Sequence, residues 1–244
     1  MPYELHYWPG IPGRGEFVRL ALEAAGAPYV DVARDDAHGG LPAMLHYLED
    51  ADVARPPFAC PFLVDGKTVV GQTAAILLYL GPRLELVPAR ETDRLWIHQI
   101  QLTIADMVAE VHDTHHPIAS SLYYADQKPE ALRRAQDFRR SRLPKFLGWF
   151  EAILERNAGN AARSVPRLVG GRLSYADLSL FQLVDGLRYA FPKASARALK
   201  KTPRVTALHA GVPAHKRLAA YLASERRQPF NEDGIFRRYP ELDG

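Results

Sequence analysis

One cysteine, Cys60, stands in 244 residues. It has no partner for an intramolecular disulfide, zinc sites built on two or more cysteines are excluded, and no Cys-x-x-Cys redox pair exists. Such usage fits a reducing compartment. Long apolar runs are also missing: none reaches the ~18 residues that a membrane-spanning helix needs. Met1 to Trp8 contains neither a basic segment nor an apolar one of the secretory kind, so no signal peptide is expected. Neither sign of charge dominates, with 31 Lys and Arg against 28 Asp and Glu and a net charge of +3. The basic residues are interspersed with acidic ones rather than gathered on one face, and nucleic acid is therefore not implied. No internal repeat or low-complexity tract occurs. The expected location is the cytoplasm, with neither nucleic acid nor membrane as a partner.

What is present is enough for a sizeable core, since 47% of the residues are hydrophobic, and the length allows one large domain or two small ones. Tyr3 to Trp8 reads as a short strand, broken by Pro9, Gly10, Pro12 and Gly13. From Arg14 to Ala25, apolar residues at Phe17, Val18, Ala21, Leu22 and Ala25 mark one helix face. Gly26 is a C-terminal stop, and Tyr29 to Ala33 reads as a second strand, which completes a βαβ opening. A short helix is expected over Pro42 to Glu49. Asp65-Gly66 between apolar runs predicts a hairpin, followed by a short helix from Ala74 to Leu80.

Past residue 90 no convincing strand exists. Residues 91–123 and 129–157 carry helical periodicity, with Pro117 expected to kink or break the first. Ser174 and Asp177 form a capping-box pattern with Asp in the Glu/Gln place, opening a helix to about Ala190. Two shorter helices are expected near 203–211 and 214–224. The tail has no periodicity, but Phe230, Phe236 and Tyr239 point to its burial. The fold class expected is α/β plus all-α: a β-α-β-α-β-β-α domain over 1–81, a linker over 82–90, and a helical bundle over 91–244.

Several pieces, in this order, resemble the glutathione transferase family. They are Tyr7-Trp8, Gly13-Arg14-Gly15-Glu16, Cys60-Pro61-Phe62-Leu63, the run Gly71 to Gly81, and Ser174 to Leu178. The likeness covers nearly the whole chain and is to the cytosolic, tyrosine-type, sigma- or pi-like members of bacterial or fungal kind. It implies that the first domain is thioredoxin-like and binds glutathione, with a second-substrate pocket in the helical domain.

A thiol has a pKa of about 8.5 in water, and its thiolate is the nucleophile. A neutral tyrosine hydroxyl donating to sulfur lowers that pKa, each unit being about 1.36 kcal/mol. The resemblance makes Tyr7 this catalytic group; read alone, Tyr7 is also an ordinary strand aromatic. Tyr7, Arg14, Cys60, Pro61, Gln72 and Thr73 are the expected glutathione-binding residues. Thr73 and the free N–H groups at its helix start make an anion site; plain N-capping is the competing reading. Arg14 steadies the carboxylates or is a solvated first-turn arginine. The resemblance further implies a cis Pro61, with the main chain of Cys60 pairing with the cysteinyl part of glutathione. Cys60 is not expected to be the catalytic thiol.

The second-substrate pocket is expected at Trp8, Met107, Glu110 and Thr114. His112, His115 and His116 raise the question of a metal. Adjacent helix positions point about 100° apart, so only two of the three are expected to converge, and no metal is expected. Asp106 and Asp113 are alternatives for a contact to a second subunit. Arg34, His46 and Arg55 are alternatives for the glycyl carboxylate. The function implied is transfer of glutathione, as co-substrate and without a permanently bound cofactor, to a small hydrophobic electrophile by a homodimer. A non-catalytic binding module of the same fold is the alternative, as is a glutathione-dependent peroxidase, isomerase or lyase.

Overall fold

Strand β1 (Tyr3–His6) pairs in parallel with β2 (Tyr29–Asp31) and antiparallel with β3 (Phe62–Asp65). β3 turns back through Gly66 into β4 (Thr68–Gly71), giving a four-stranded sheet in the order β2-β1-β3-β4. Gly66 has φ +59, the left-handed conformation for which glycine is suited at such a turn. This computed structural model describes residues 2–244.

Between β1 and β2 lies α1 (Gly15–Ala25), closed by Gly26 at φ +68. Helix α2 (Gly40–Glu49) follows the second strand, and α3 (Thr73–Arg83) follows the fourth. The apolar faces of α1 and α3 meet the sheet in a cluster of Leu5, Val18, Leu22, Leu63, Ile76 and Leu80. On the other side, Met44 of α2 packs with Phe62 and Val64. The mixed sheet with helices on both sides matches the expected thioredoxin-like element order. The third helix runs three residues further than the sequence pattern foretold, through Pro82 in its last turn.

All regular elements after residue 90 are helical. α4 (Glu91–Asp113) packs on α7 (Tyr175–Ala190), while α5 (Lys128–Asp137) and α6 (Leu143–Arg156) join through a π-helical turn at Phe138–Arg142. α8 (Pro192–Leu199), α9 (Pro203–Gly211) and α10 (Lys216–Leu222) complete the bundle, and α11 (Pro240–Asp243) is a last single turn. The core of this part reaches into α1 through Phe17, Leu20, Ala21 and Ala24.

The capping box is present in full. Ser174 Oγ accepts from the Asp177 N–H, and Asp177 Oδ2 accepts from the Ser174 N–H at 2.7 Å. Asp177 also accepts from the Leu168 N–H at 2.8 Å, so it fastens the preceding loop.

Two elements differ from expectation, while the tail is buried as expected. α4 stops at Asp113 rather than running on towards 123. The proline ring at position 117 would clash with the carbonyl four residues earlier, at Asp113, and the helix ends there. α8 was not foreseen, because Pro192 reads as a breaker when it occupies the first helical turn, where proline is tolerated. The tail is tied down throughout. Phe236 lies against Gly186 so closely that an added Cβ would meet its ring at 2.4 Å, and Tyr239 stacks on Tyr124 at 3.8 Å.

Candidate functional site

The site is assembled at the point where β1, the start of α1 and the start of α3 meet. Tyr7 follows the last residue of β1, and its side chain is buried. Its ring lies against Gly13 and Gly15, where an added Cβ would fall 2.0 Å from the hydroxyl and 2.6 Å from the ring, respectively. Glycine is required at both positions by this close approach alone; at Gly13 a φ of +42 adds to the requirement. The Tyr7 hydroxyl accepts the Arg14 main-chain N–H at 2.8 Å. Its own proton has no acceptor among the described residues. Burial raises the Tyr7 pKa, only partly opposed by the Arg14 N–H and the nearby guanidinium groups, so the hydroxyl is neutral at neutral pH.

Arg14 links this hydroxyl to the third helix: its carbonyl accepts from Thr73 Oγ1 at 3.5 Å. Immediately before Thr73, Gln72 has φ 65 and ψ 119. A non-glycine residue held there costs about 1–3 kcal/mol and is characteristic of functional sites and ligand clamps. The Cys60–Pro61 peptide leading into β3 is cis, the isomer that the resemblance implied. Cys60 Sγ donates to the Met44 sulfur at 3.2 Å, and burial pushes its pKa up to about 11. That thiol is protonated at neutral pH and is a weak nucleophile.

Arg14, Gln72 and Thr73 open onto one cavity of about 350 Å³ between α1, α3 and α4. Its far wall is α4, through His98, Gln101, Leu102, Ile104, Ala105 and Val108. His98 Nδ1 and Gln101 Oε1 are buried polar atoms without a protein partner. Sequence reasoning did not single out either residue. They carry no local motif; the only available signal was their spacing of three on a helix that faces the sheet domain.

The residues assigned from sequence to a second-substrate pocket are placed elsewhere. Trp8, two residues past the end of β1, is exposed and does not line this cavity. Met107 is wholly inside the helical core. Glu110 faces the bundle and pairs with Arg142 at 2.7 Å and Arg134 at 3.3 Å. Thr114 is buried and donates to the Val111 carbonyl at 2.7 Å, closing the end of α4. Of the glycyl-carboxylate alternatives, Arg34 is engaged by Asp31 and the Arg226 carbonyl, and His46 pairs with Asp50. Arg55 is exposed.

Beneath the site lies a buried charge network. Arg19 donates to Asp31 at 2.7 Å and stands 3.5 Å from Glu16. Glu16 accepts from the Tyr221 hydroxyl at 2.8 Å and from Arg227, which also reaches Asp185 at 3.1 Å. Asn231 donates to the Gly10 carbonyl at 2.8 Å. The tail and α10 thereby hold α1 and the loop that carries Gly13 and Arg14.

Comparison with known proteins agrees with this architecture. Residues 112–225 match the family described as "Glutathione S-transferase, C-terminal domain". The chain is 26% identical over 203 residues to a glutathione S-transferase of Plasmodium falciparum, covering 82% of this chain and 86% of that one. It is 29% identical over 231 residues to glutathione S-transferase P 1 of Xenopus laevis, with coverage of 92% and 93%. The fold superposes on the Pi-class glutathione S-transferase of Onchocerca volvulus with a TM-score of 0.67 at 21% identity, covering 91% of this chain and 92% of that one. Residues 112–225 carry the C-terminal domain of glutathione S-transferases, and over nearly its whole length the chain is similar to enzymes of the cytosolic glutathione transferase type.

Proposed function

We propose that this protein binds glutathione in the cleft between the sheet domain and α4, and ionises its thiol for attack on a hydrophobic electrophile. The observation that carries this reading is the Tyr7 hydroxyl: neutral, accepting from the Arg14 N–H, and holding a proton that no group among the described residues accepts. The accepted hydrogen bond polarises the O–H and makes it a better donor. A thiolate placed before it is stabilised relative to the thiol, which lowers the thiol's pKa.

Gln72 and Thr73 at the start of α3 receive the γ-glutamyl carboxylate, where main-chain N–H groups are free. The main chain at Cys60 and Pro61 pairs with the cysteinyl part. Arg14 supplies positive potential beside both. Glutathione enters as co-substrate, and the protein's contribution is orientation and electrostatic stabilisation. The apolar residues Leu102, Ile104, Ala105 and Val108 of α4 supply an apolar wall for the second substrate. Homodimerisation is supported by Leu78 of α3 and Leu95 of α4, which are 41% and 56% exposed. Asp106 stands exposed on the same helix, while Asp113 lies at its end.

The test is Tyr7→Phe assayed against a panel of aryl and alkyl electrophiles. Conjugation is expected to fall by roughly ten- to hundredfold, one to two pKa units of lost thiolate stabilisation, while glutathione affinity stays nearly unchanged. Undiminished turnover removes Tyr7 from the role.

A further inference from the structure

Beyond the last turn of α4, three histidine rings come together. Sequence periodicity allowed only two of them to converge, on the premise that the helix continues. It ends at Asp113 in a tight turn, where Thr114 keeps α-helical dihedrals and the His115 and His116 N–H groups both donate to the His112 carbonyl at 3.2 Å. One nitrogen from each of His112, His115 and His116 lies within 4.8 Å of the others. The His112 and His116 rings stack at 4.9 Å, and His115 meets each of them edge-on.

We propose that His112, His115 and His116 form a binding site for a divalent transition-metal ion, zinc being the representative. His115 is fixed in the required tautomer, because its Nε2–H donates to the Ile235 carbonyl at 2.8 Å. Its Nδ1 lone pair faces His116 Nδ1. A second-sphere hydrogen bond of this kind sets ring orientation and raises ligand basicity. His116 Nδ1 is 2.5 Å from His115 Nδ1, closer than an ordinary N–H···N contact. An ion bound by both, at about 2.0–2.1 Å from each nitrogen, would require the two rings to move apart.

Burial holds all three imidazoles below the usual histidine range, with His115 at about 3 and His116 at about 4, so they are neutral ligands at neutral pH. The charges around them are mixed. Arg237 acts on all three rings and Arg14 on His112, both opposing a cation. The Asp113 carboxylate stands 3.6 Å from His112 Nδ1 and favours one. Imidazole donors suit zinc, copper and nickel, whereas magnesium and calcium require oxygen donors. Three protein ligands leave a fourth position open for water or an anion, and the two arginines favour the anion.

The proposal is independent of glutathione binding and is tested without glutathione, which itself binds metals. The untagged full chain, stripped with a chelator, is titrated with zinc chloride by calorimetry and with cobalt chloride by visible absorption. One equivalent per chain is expected, with the intense d–d bands of four-coordinate cobalt. His112→Ala and His116→Gln are each expected to weaken binding by more than about tenfold, with unchanged far-ultraviolet circular dichroism. His46→Ala, which disrupts the exposed His46, Asp50 and Asp52 group, is expected to leave binding intact. No saturable binding in the micromolar range, or binding that survives both substitutions or is lost with His46→Ala, overturns the assignment.

Discussion

At the scale of single residues, close approach rather than charge shapes the site. Gly13 and Gly15 let the Tyr7 ring lie flat against the loop that ends in Arg14. Gly13→Ala would place a methyl group 2.0 Å from the hydroxyl. Displacement of the ring is expected, with conjugation lowered to nearly the Tyr7→Phe level while the chain still folds. A full-rate Gly13→Ala enzyme contradicts the placement. Cys60→Ala is expected to keep most activity, because the thiol is protonated at neutral pH and bonded to Met44; near-total loss in the same assay would assign Cys60 a chemical role.

Tyr7, Arg14, Gln72 and Thr73 were legible in the sequence because each sits in a short run with a local reason: a strand end, a glycine-bounded turn, a helix start. His98 and Gln101 were not legible. Nothing local separates them from other polar residues on α4, and only the tertiary contact with α3 turns them towards a cavity. The same limit hid Met107 and Glu110, whose core-facing and bundle-facing positions depend on the rotation of α4 against its neighbours.

At the scale of elements, ends decide more than interiors. The α7 start was readable because its cap is made by its own residues, Ser174 and Asp177. The α8 start was not, because its cap comes from the far end of the chain. The Lys193 and Ala194 N–H groups donate to the Asp243 carboxylate at 2.8 and 2.9 Å. Asp243→Ala is expected to cost about 0.5–2 kcal/mol, the range for losing an N-cap. Denaturant midpoints at an unchanged m-value check this; an unchanged midpoint means that the carboxylate contributes nothing. Pro117 acts through the residue four positions back, ending α4 at Asp113, and a periodicity window does not register that effect.

At the scale of the molecule, the tail and α10 join the helical domain to the sheet domain through buried polar groups. Glu16, Arg19, Tyr221 and Arg227 are separated by as many as 211 positions in sequence, so no reading of neighbours could pair them. Burial makes acid a global stress. His6 is 1% exposed, stacks on Phe62 at 4.4 Å and, among the described residues, has no hydrogen-bond partner at either ring nitrogen. Desolvation lowers its pKa from 6.5 to about 4. Between those values the unfolded chain takes up a proton that the folded chain refuses, so stability falls as pH drops through that window. His6→Phe, which keeps an aromatic ring against Phe62, is expected to flatten the acid limb of stability measured from pH 7 to pH 4. His115 and His116 still contribute to what remains. An acid limb as steep as the parent's contradicts the neutral, buried His6.

The central claim is that the Tyr7 hydroxyl ionises a bound thiol. The most direct measurement is the ultraviolet difference spectrum of the thiolate at saturating glutathione, followed across pH in the parent protein and in Tyr7→Phe. The account predicts a thiol pKa at least about one unit below the free value in the parent, returning towards about 8.5 in the variant. A bound thiol that titrates like free glutathione in both proteins would contradict it.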